Sequence, residues 1–128
     1  MYAQNAYNTY KTNSVNFASK EQLLLMLLDG AVKFCKIARQ AMEEKDIPKA
    51  HENIVKTQDI FYELMITLDT TQTGSWGANL LDIYDFIIRR LRDANTKKDI
   101  TIMDEIIPLV ENIRDMWNEA YKVSKVAK

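Results

Sequence analysis

The sequence predicts an all-α protein, an antiparallel up-down four-helix bundle, with residues 1–18 as a mobile N-terminal arm and residues 19–128 as a single bundle domain. Three observations predict it. Four stretches of similar length repeat apolar residues at alternating steps of three and four, which draws one buried stripe per helix. Short turns join these stretches, several of them ending in a helix-capping residue. No stretch alternates apolar and polar residues as a strand does, and no internal repeat is evident.

The arm, residues 1–18, is polar and rich in Asn and Tyr, without a sustained period. Tyr2, Tyr7, Tyr10, Val15 and Phe17 are too apolar for a purely solvating tail. An arm that lies on the bundle and can leave it fits this composition, as does a frayed terminus.

The first helix spans Ser19 to Glu44 and opens with a capping box, Ser19 accepting from the backbone near Gln22 and Gln22 reaching back. Leu24, Leu28, Ala31, Cys35, Ala38 and Met42 form its inward stripe. Leu23, Leu25, Met26, Leu27, Phe34, Ile37 and Ala41 widen the apolar surface beyond the roughly 100° arc that a core-facing helix needs. Such a helix is either surrounded by its own chain or keeps a face for a partner. Gly30 costs roughly 1 kcal/mol relative to Ala, a cost that makes sense where another helix approaches closely. Lys45 and Asp46 make the turn, with Asp46 as the next N-cap and Pro48 tolerated in the opening turn.

The second helix, Ile47 to Leu68, turns Ile47, Ala50, Ile54, Thr57, Phe61, Leu64 and Leu68 inward and Glu52, Lys56, Asp59 and Glu63 outward. Thr70 to Gly77 reads as a loop holding 2 of the 3 glycines, with Trp76 placed to plug the bundle end. The third helix, Ala78 to Ala94, faces Leu80, Tyr84, Ile87, Leu91 and Ala94 inward, while Leu81, Ile83, Phe86 and Ile88 widen its apolar side. Asn95 to Lys98 turns the chain and Asp99 caps the fourth helix, whose stripe is Met103, Ile106, Val110, Ile113, Trp117 and Ala120. Pro108 removes a backbone bond to Asp104 and predicts a kink. Fraying is expected beyond about Val123.

The totals exclude several function classes. At 128 residues with 47% apolar and 27% charged side chains, the chain suits one soluble domain with a real core. With 17 Lys and Arg against 18 Asp and Glu there is no net field for nucleic acid or an anionic membrane, and Arg89, Arg90 and Arg92 read as a solvated helix face. The longest apolar run, Leu23 to Leu28, is far short of the ~20 residues that span a bilayer. The opening MYAQNAYNTYKTN has neither the early charge nor the apolar core of a signal peptide, and a single cysteine suits a reducing cytoplasm.

Catalytic chemistry is equally scarce. His51 is the only histidine, so paired Glu-x-x-His motifs and the usual zinc sites are missing; no metal or cofactor is expected. The alternative reading makes His51 the phosphoacceptor of a histidine phosphotransfer bundle, but its surroundings, KAHENIVKT, lack the glycine that lets a response regulator approach. Cys35 lies on the inward stripe as an inert core thiol. Asp29, Asp82 and Asp85 lie near apolar faces without a titratable partner, and no Gly-rich phosphate loop is present. The expectation is a binding protein and not an enzyme.

The arm NAYNTY followed by VNFASKEQLLLMLLDGA resembles the opening of the FliS family, the flagellin-specific export chaperones. The resemblance continues through KDIPKAHENIVKTQDI and NLLDIYDFIIRRLRDANTKKD to LVENIRDMWNEAY, with YDFIIRRLRDAN and Trp117 the most specific parts. Lys20 stands where the family commonly has proline, and Leu28 where it favours an aromatic before Asp-Gly. The resemblance implies a cytoplasmic, non-catalytic chaperone that holds flagellin's disordered C-terminal segment, prevents early polymerisation and delivers it to the type III export apparatus. The export gate and other flagellar regulatory proteins are the further partners it suggests. A disordered client needs a long apolar track, and spare apolar faces supply one in the helix-in-groove mode. The candidate track is Leu23, Met26, Leu27 and Phe34 on the first helix with Ile83 and Phe86 on the third, against the alternative of ordinary flank packing. Met26, Met65 and Met116 would help it adapt, and Tyr7 and Tyr10 of the arm are expected to cover part of it until flagellin displaces them.

Overall fold

The computed structural model describes residues 19–126, with side chains described as far as Val123, so the arm with Tyr7 and Tyr10 lies outside the described residues. Four long helices are present: α1 (Lys20–Glu43), α2 (Ile47–Thr67), α4 (Ser75–Lys97) and α5 (Ile100–Val126), with the single-turn α3 (Thr70–Thr73) between α2 and α4. No strand occurs among the described residues. Packing runs round a square: α1 lies on α2 and α5, and α4 lies on α2 and α5. With short connections, that order makes the bundle up-down-up-down.

The caps act where the sequence places them. The Ser19 amide donates to Gln22 Oε1 at 2.8 Å and the Gln22 amide to Ser19 Oγ at 3.2 Å, which closes the capping box. Past Glu43 the chain leaves α1 through Lys45 at φ 60°, with the Asp46 amide bonded to the Ala41 carbonyl and the Lys45 amide to that of Met42. This is a Schellman motif with lysine in the left-handed position that glycine usually holds. Asp46 then accepts from the Lys49 amide to start α2, and Asp99 accepts from the Thr101 amide to start α5. Lys98, at φ 50°, is the second left-handed non-glycine.

The expected loop from Thr70 to Gly77 is largely helical instead. Asp69 accepts from Thr71 to open α3, and Gly74 at φ 66° joins it to α4, which starts at Ser75. Gly77 is therefore a buried helical position: a Cβ there would stand 1.7 Å from Thr73 Oγ1. Glycine is needed for close approach rather than for a turn. Helix α4 also runs through the expected turn to Lys97, and α5 continues through Pro108 without a break as far as Val126.

The core follows the inward stripes, with instructive exceptions. Tyr84, Phe61, Leu28, Ile54, Ile87, Leu91, Met103, Ile106 and Val110 are fully buried. So are Ile60 and Ile88, one absent from the expected stripe and the other expected at its margin. Ile47, expected inward, is exposed at the first position of α2. The two buried polar side chains among the described residues serve their own helix: Asn53 Nδ2 donates to the Lys49 carbonyl and Thr57 Oγ1 to the Asn53 carbonyl, both at 2.9 Å. Cys35 is fully buried, and burial pushes its thiol up to about 12, which makes it the inert core group expected.

Candidate functional site

Between α4 and α5 the apolar stripes overrun the core. Two bonds set the register of this antiparallel pair: Trp117 Nε1 donates to Tyr84 Oη at 3.0 Å, and Arg90 Nη2 donates to Glu105 Oε2 at 2.6 Å. Tyr84 Oη is buried with its ring, which meets Phe61 edge-on at 5.6 Å, and burial pushes the phenol up to about 12. With Tyr84 opposite Trp117, Ile83 stands level with Met116. Trp76 and Val123 lie toward one end, and the Arg90 bridge closes the other.

The result is a line of large apolar side chains open to water along one seam. Trp76 is 52% exposed, Ile83 44%, Phe86 39%, Met116 44% and Val123 60%, making 5 of the 8 exposed large hydrophobics among the described residues. Leu109, half-buried, extends the line on α5. From Leu109 to Val123 the helix rises ~21 Å, about four turns. Trp76 meets Trp117 edge-on at 6.3 Å, so it caps the seam from outside instead of plugging the bundle end.

A second apolar feature lies at the start of α1. Leu23, Leu24 and Leu27 with Thr67 and Trp117 enclose a cleft of about 460 Å³, whose mouth carries Lys20 and Glu21. An adjoining hollow of about 170 Å³ runs along Leu24, Leu25, Trp117, Ala120 and Tyr121. Trp117 is the one side chain that lines both hollows and also contacts the seam through Trp76.

The candidate track residues are thus divided. Ile83 and Phe86 lie together on the seam. Leu23 lies at the cleft, half-buried. Leu27 edges the same cleft but is only 3% exposed, a core residue rather than the open one expected, because α2 and α5 close over that turn of α1. Phe34 is half-buried with the Lys56 ammonium 5.2 Å above its ring, and Met26 is half-buried on α1. Trp76 and Val123 were missing from the track, and Met116 was expected only as an adaptable helper. A signal existed: Leu109, Met116 and Val123 recur every seven residues, as do Trp76 and Ile83, beside the inward stripes.

Nothing in the described residues resembles a reaction centre. His51 is exposed, and its Nδ1 accepts from Asn95 Nδ2 at 2.9 Å while Lys98 Nζ bonds the same asparagine's oxygen. No group of His, Cys, Asp and Glu among the described residues could hold a metal ion. No described helix is long and apolar enough to cross a membrane.

Known proteins align with nearly the whole chain. Residues 3–124 match the family described as flagellar protein FliS. The chain is 40% identical to the flagellar secretion chaperone FliS of Bacillus subtilis, over 94% of this chain and 89% of that one. It is 33% identical to the Salmonella typhimurium protein of the same name, over 93% and 92%. A crystal structure of a bacterial flagellar chaperone superposes with a TM-score of 0.74 over 93% of this chain and 97% of that one; at 16% identity, this is a likeness of fold.

Proposed function

The chain belongs to the FliS family of flagellar secretion chaperones, which are not enzymes, and we propose that its client is the disordered C-terminal segment of flagellin. On this reading it binds that segment in the cytoplasm, prevents premature polymerisation and delivers it to the flagellar type III export apparatus. The observation that carries the reading is the α4–α5 seam. Five large apolar side chains stand in water there on a bundle that already has a complete core. A continuous apolar line of ~21 Å fits the apolar face of one amphipathic helix of about four turns. The cleft beside Leu23 and Trp117 offers a second contact for a long segment wrapping round the bundle. No observation favours the phosphotransfer reading of His51.

The test is titration with the last ~40–50 residues of the cognate flagellin, followed by circular dichroism and light scattering; a segment of that length can wrap several faces while ordering in part. The expected result is a 1:1 complex with a gain of helix and a higher Tm. A chain that is already a closed oligomer and takes up no segment would refute it. The proposal extends to the arm, residues 1–18, with Tyr7 and Tyr10 covering apolar surface in the absence of client. Deleting residues 1–14 should then raise ANS fluorescence, and unchanged dye binding would count against the arm's role.

A further inference from the structure

We infer that the α4–α5 seam selects a client segment that docks as an amphipathic helix carrying Lys or Arg on the flanks of its apolar stripe. The inference rests on the reading of the seam as flagellin's docking surface and adds the chemistry of the rim. Asp82, exposed, stands one turn before Phe86 on α4. Glu119, exposed, lies three residues after Met116 and four before Val123 on α5. Residues at these spacings share a helix face, so both carboxylates border the apolar line. Neither forms an ion pair among the described residues. At the other end Asp93 and Glu105 share one cation, Arg90, at 3.0 and 2.6 Å. Arg92 also acts on Asp93, and exposed Lys97 stands one turn beyond it, so the carboxylates at that end are offset and the uncompensated negative charge on the rim is that of Asp82 and Glu119.

The remaining cations nearby are paired with other carboxylates or lie on the far side of the rim from the apolar line. Arg89 is engaged by Asp85 at 3.0 Å and Arg114 by Asp115 at 3.0 Å, each pair neutral in itself. Lys122, also exposed, lies on the side of Glu119 away from Met116 and Val123. A helix seated on Trp76, Ile83, Phe86, Met116 and Val123 brings its flanks over Asp82 and Glu119 and takes water from both. A neutral flank would desolvate these carboxylates without replacing the lost hydrogen bonds, whereas a cationic flank pairs with them. The same field would draw a cationic segment in and speed its encounter.

The experiment measures association of the flagellin C-terminal segment by stopped-flow fluorescence at about 0.1 M and about 1 M ionic strength, where screening lengths are roughly 10 and 3 Å. The proteins are the unaltered chain, the double reversal Asp82→Lys with Glu119→Lys, and Ile83→Asp. A second segment has its Lys and Arg replaced by Gln. The expected result is an association rate about tenfold lower at high salt, in the double reversal and with the Gln segment, and little residual salt dependence in the last two. Rates that ignore the double reversal and the Gln replacement, while Ile83→Asp weakens binding by about tenfold or more, would overturn the charge selection and leave the seam in place. Undiminished binding by Ile83→Asp would overturn the seam itself, and the inference with it.

Discussion

Ile83 and Ile87 lie one helical turn apart on α4, one on the open seam and one wholly buried, and substituting each separates binding from folding. Ile87 is 0% exposed, so Ile87→Ala removes packed atoms and leaves a cavity, at about 2–5 kcal/mol of stability. Ile83 is 44% exposed, so a little over half of its side chain contributes to the fold. Full burial of isoleucine stabilises by about 1.5–3 kcal/mol, and the part lost in Ile83→Asp is therefore about 1 kcal/mol. The poorer helix propensity of Asp adds a few tenths. On binding, the remaining exposed part of Ile83 is worth about another 1 kcal/mol, and burying an aspartate against an apolar client costs at least as much again.

The expected outcome for Ile83→Asp is a client affinity lower by about 2 kcal/mol or more, roughly thirtyfold, with a Tm drop of only a few degrees. Ile87→Ala should show the reverse, a Tm drop of roughly 10 °C or more with near-normal affinity at a temperature where it is folded. Isothermal titration with the flagellin segment and a thermal melt of each variant suffice. The reasoning is refuted if Ile83→Asp melts as low as Ile87→Ala, since Ile83 is then core, or if its affinity is unchanged, since the seam is then not the docking surface.

Three further outcomes follow from the fold. Lys45 holds left-handed backbone at φ 60°, so Lys45→Gly should raise stability by about 0.5–1 kcal/mol in urea titrations, whereas Lys98→Gly, at φ 50°, also loses the Nζ bonds to Asn95 and should gain less; a loss at Lys45 would mean that its side chain contributes more than the backbone strain costs. Gly77→Ala places a Cβ 1.7 Å from Thr73 Oγ1 and should cost about 1–3 kcal/mol, with an unchanged midpoint meaning that the α3 turn yields freely. Burial raises Cys35 from 9.0 and Tyr84 from 10.0 to about 12, so both favour the fold while protonated and withdraw that stability as alkali ionises them in the unfolded chain first. Stability should therefore fall from pH 9 upward, by at most about 1.4 kcal/mol per pH unit from each group. Cys35→Ala should remove the onset between pH 9 and 10, and Tyr84→Phe should flatten only the part from pH 10 to 12; a slope unaltered in both variants would refute the assignment.

The parts of the molecule that local chemistry decides were legible in the chain. Ser19 with Gln22, Asp46 before Pro48, and Asp99 before its helix each act through atoms within three residues, so no knowledge of the fold is needed to place them. The stripes were legible for the same reason, because a period of 3.6 names the buried face without saying what lies opposite. Tyr84, Ile87, Leu91 and Ala94 are all buried as their spacing requires. Gly74 and Gly77 misled because glycine has two uses: only Gly74 takes positive φ, while Gly77 admits a neighbouring turn. The candidate surface was the least legible, since it depends on which flank of each stripe a neighbour covers. Ile88 and Ile83 are both flanking apolar residues on α4; Ile88 is buried while Ile83 stands open on the seam with α5. That difference is set by the order of four helices round a square, a property of the assembled bundle that no single helix carries. The line of Trp76 and Ile83 could be read as a heptad from the chain alone, but the bonds Tyr84–Trp117 and Arg90–Glu105 place it against Met116 and Val123 and make the separate lines one seam.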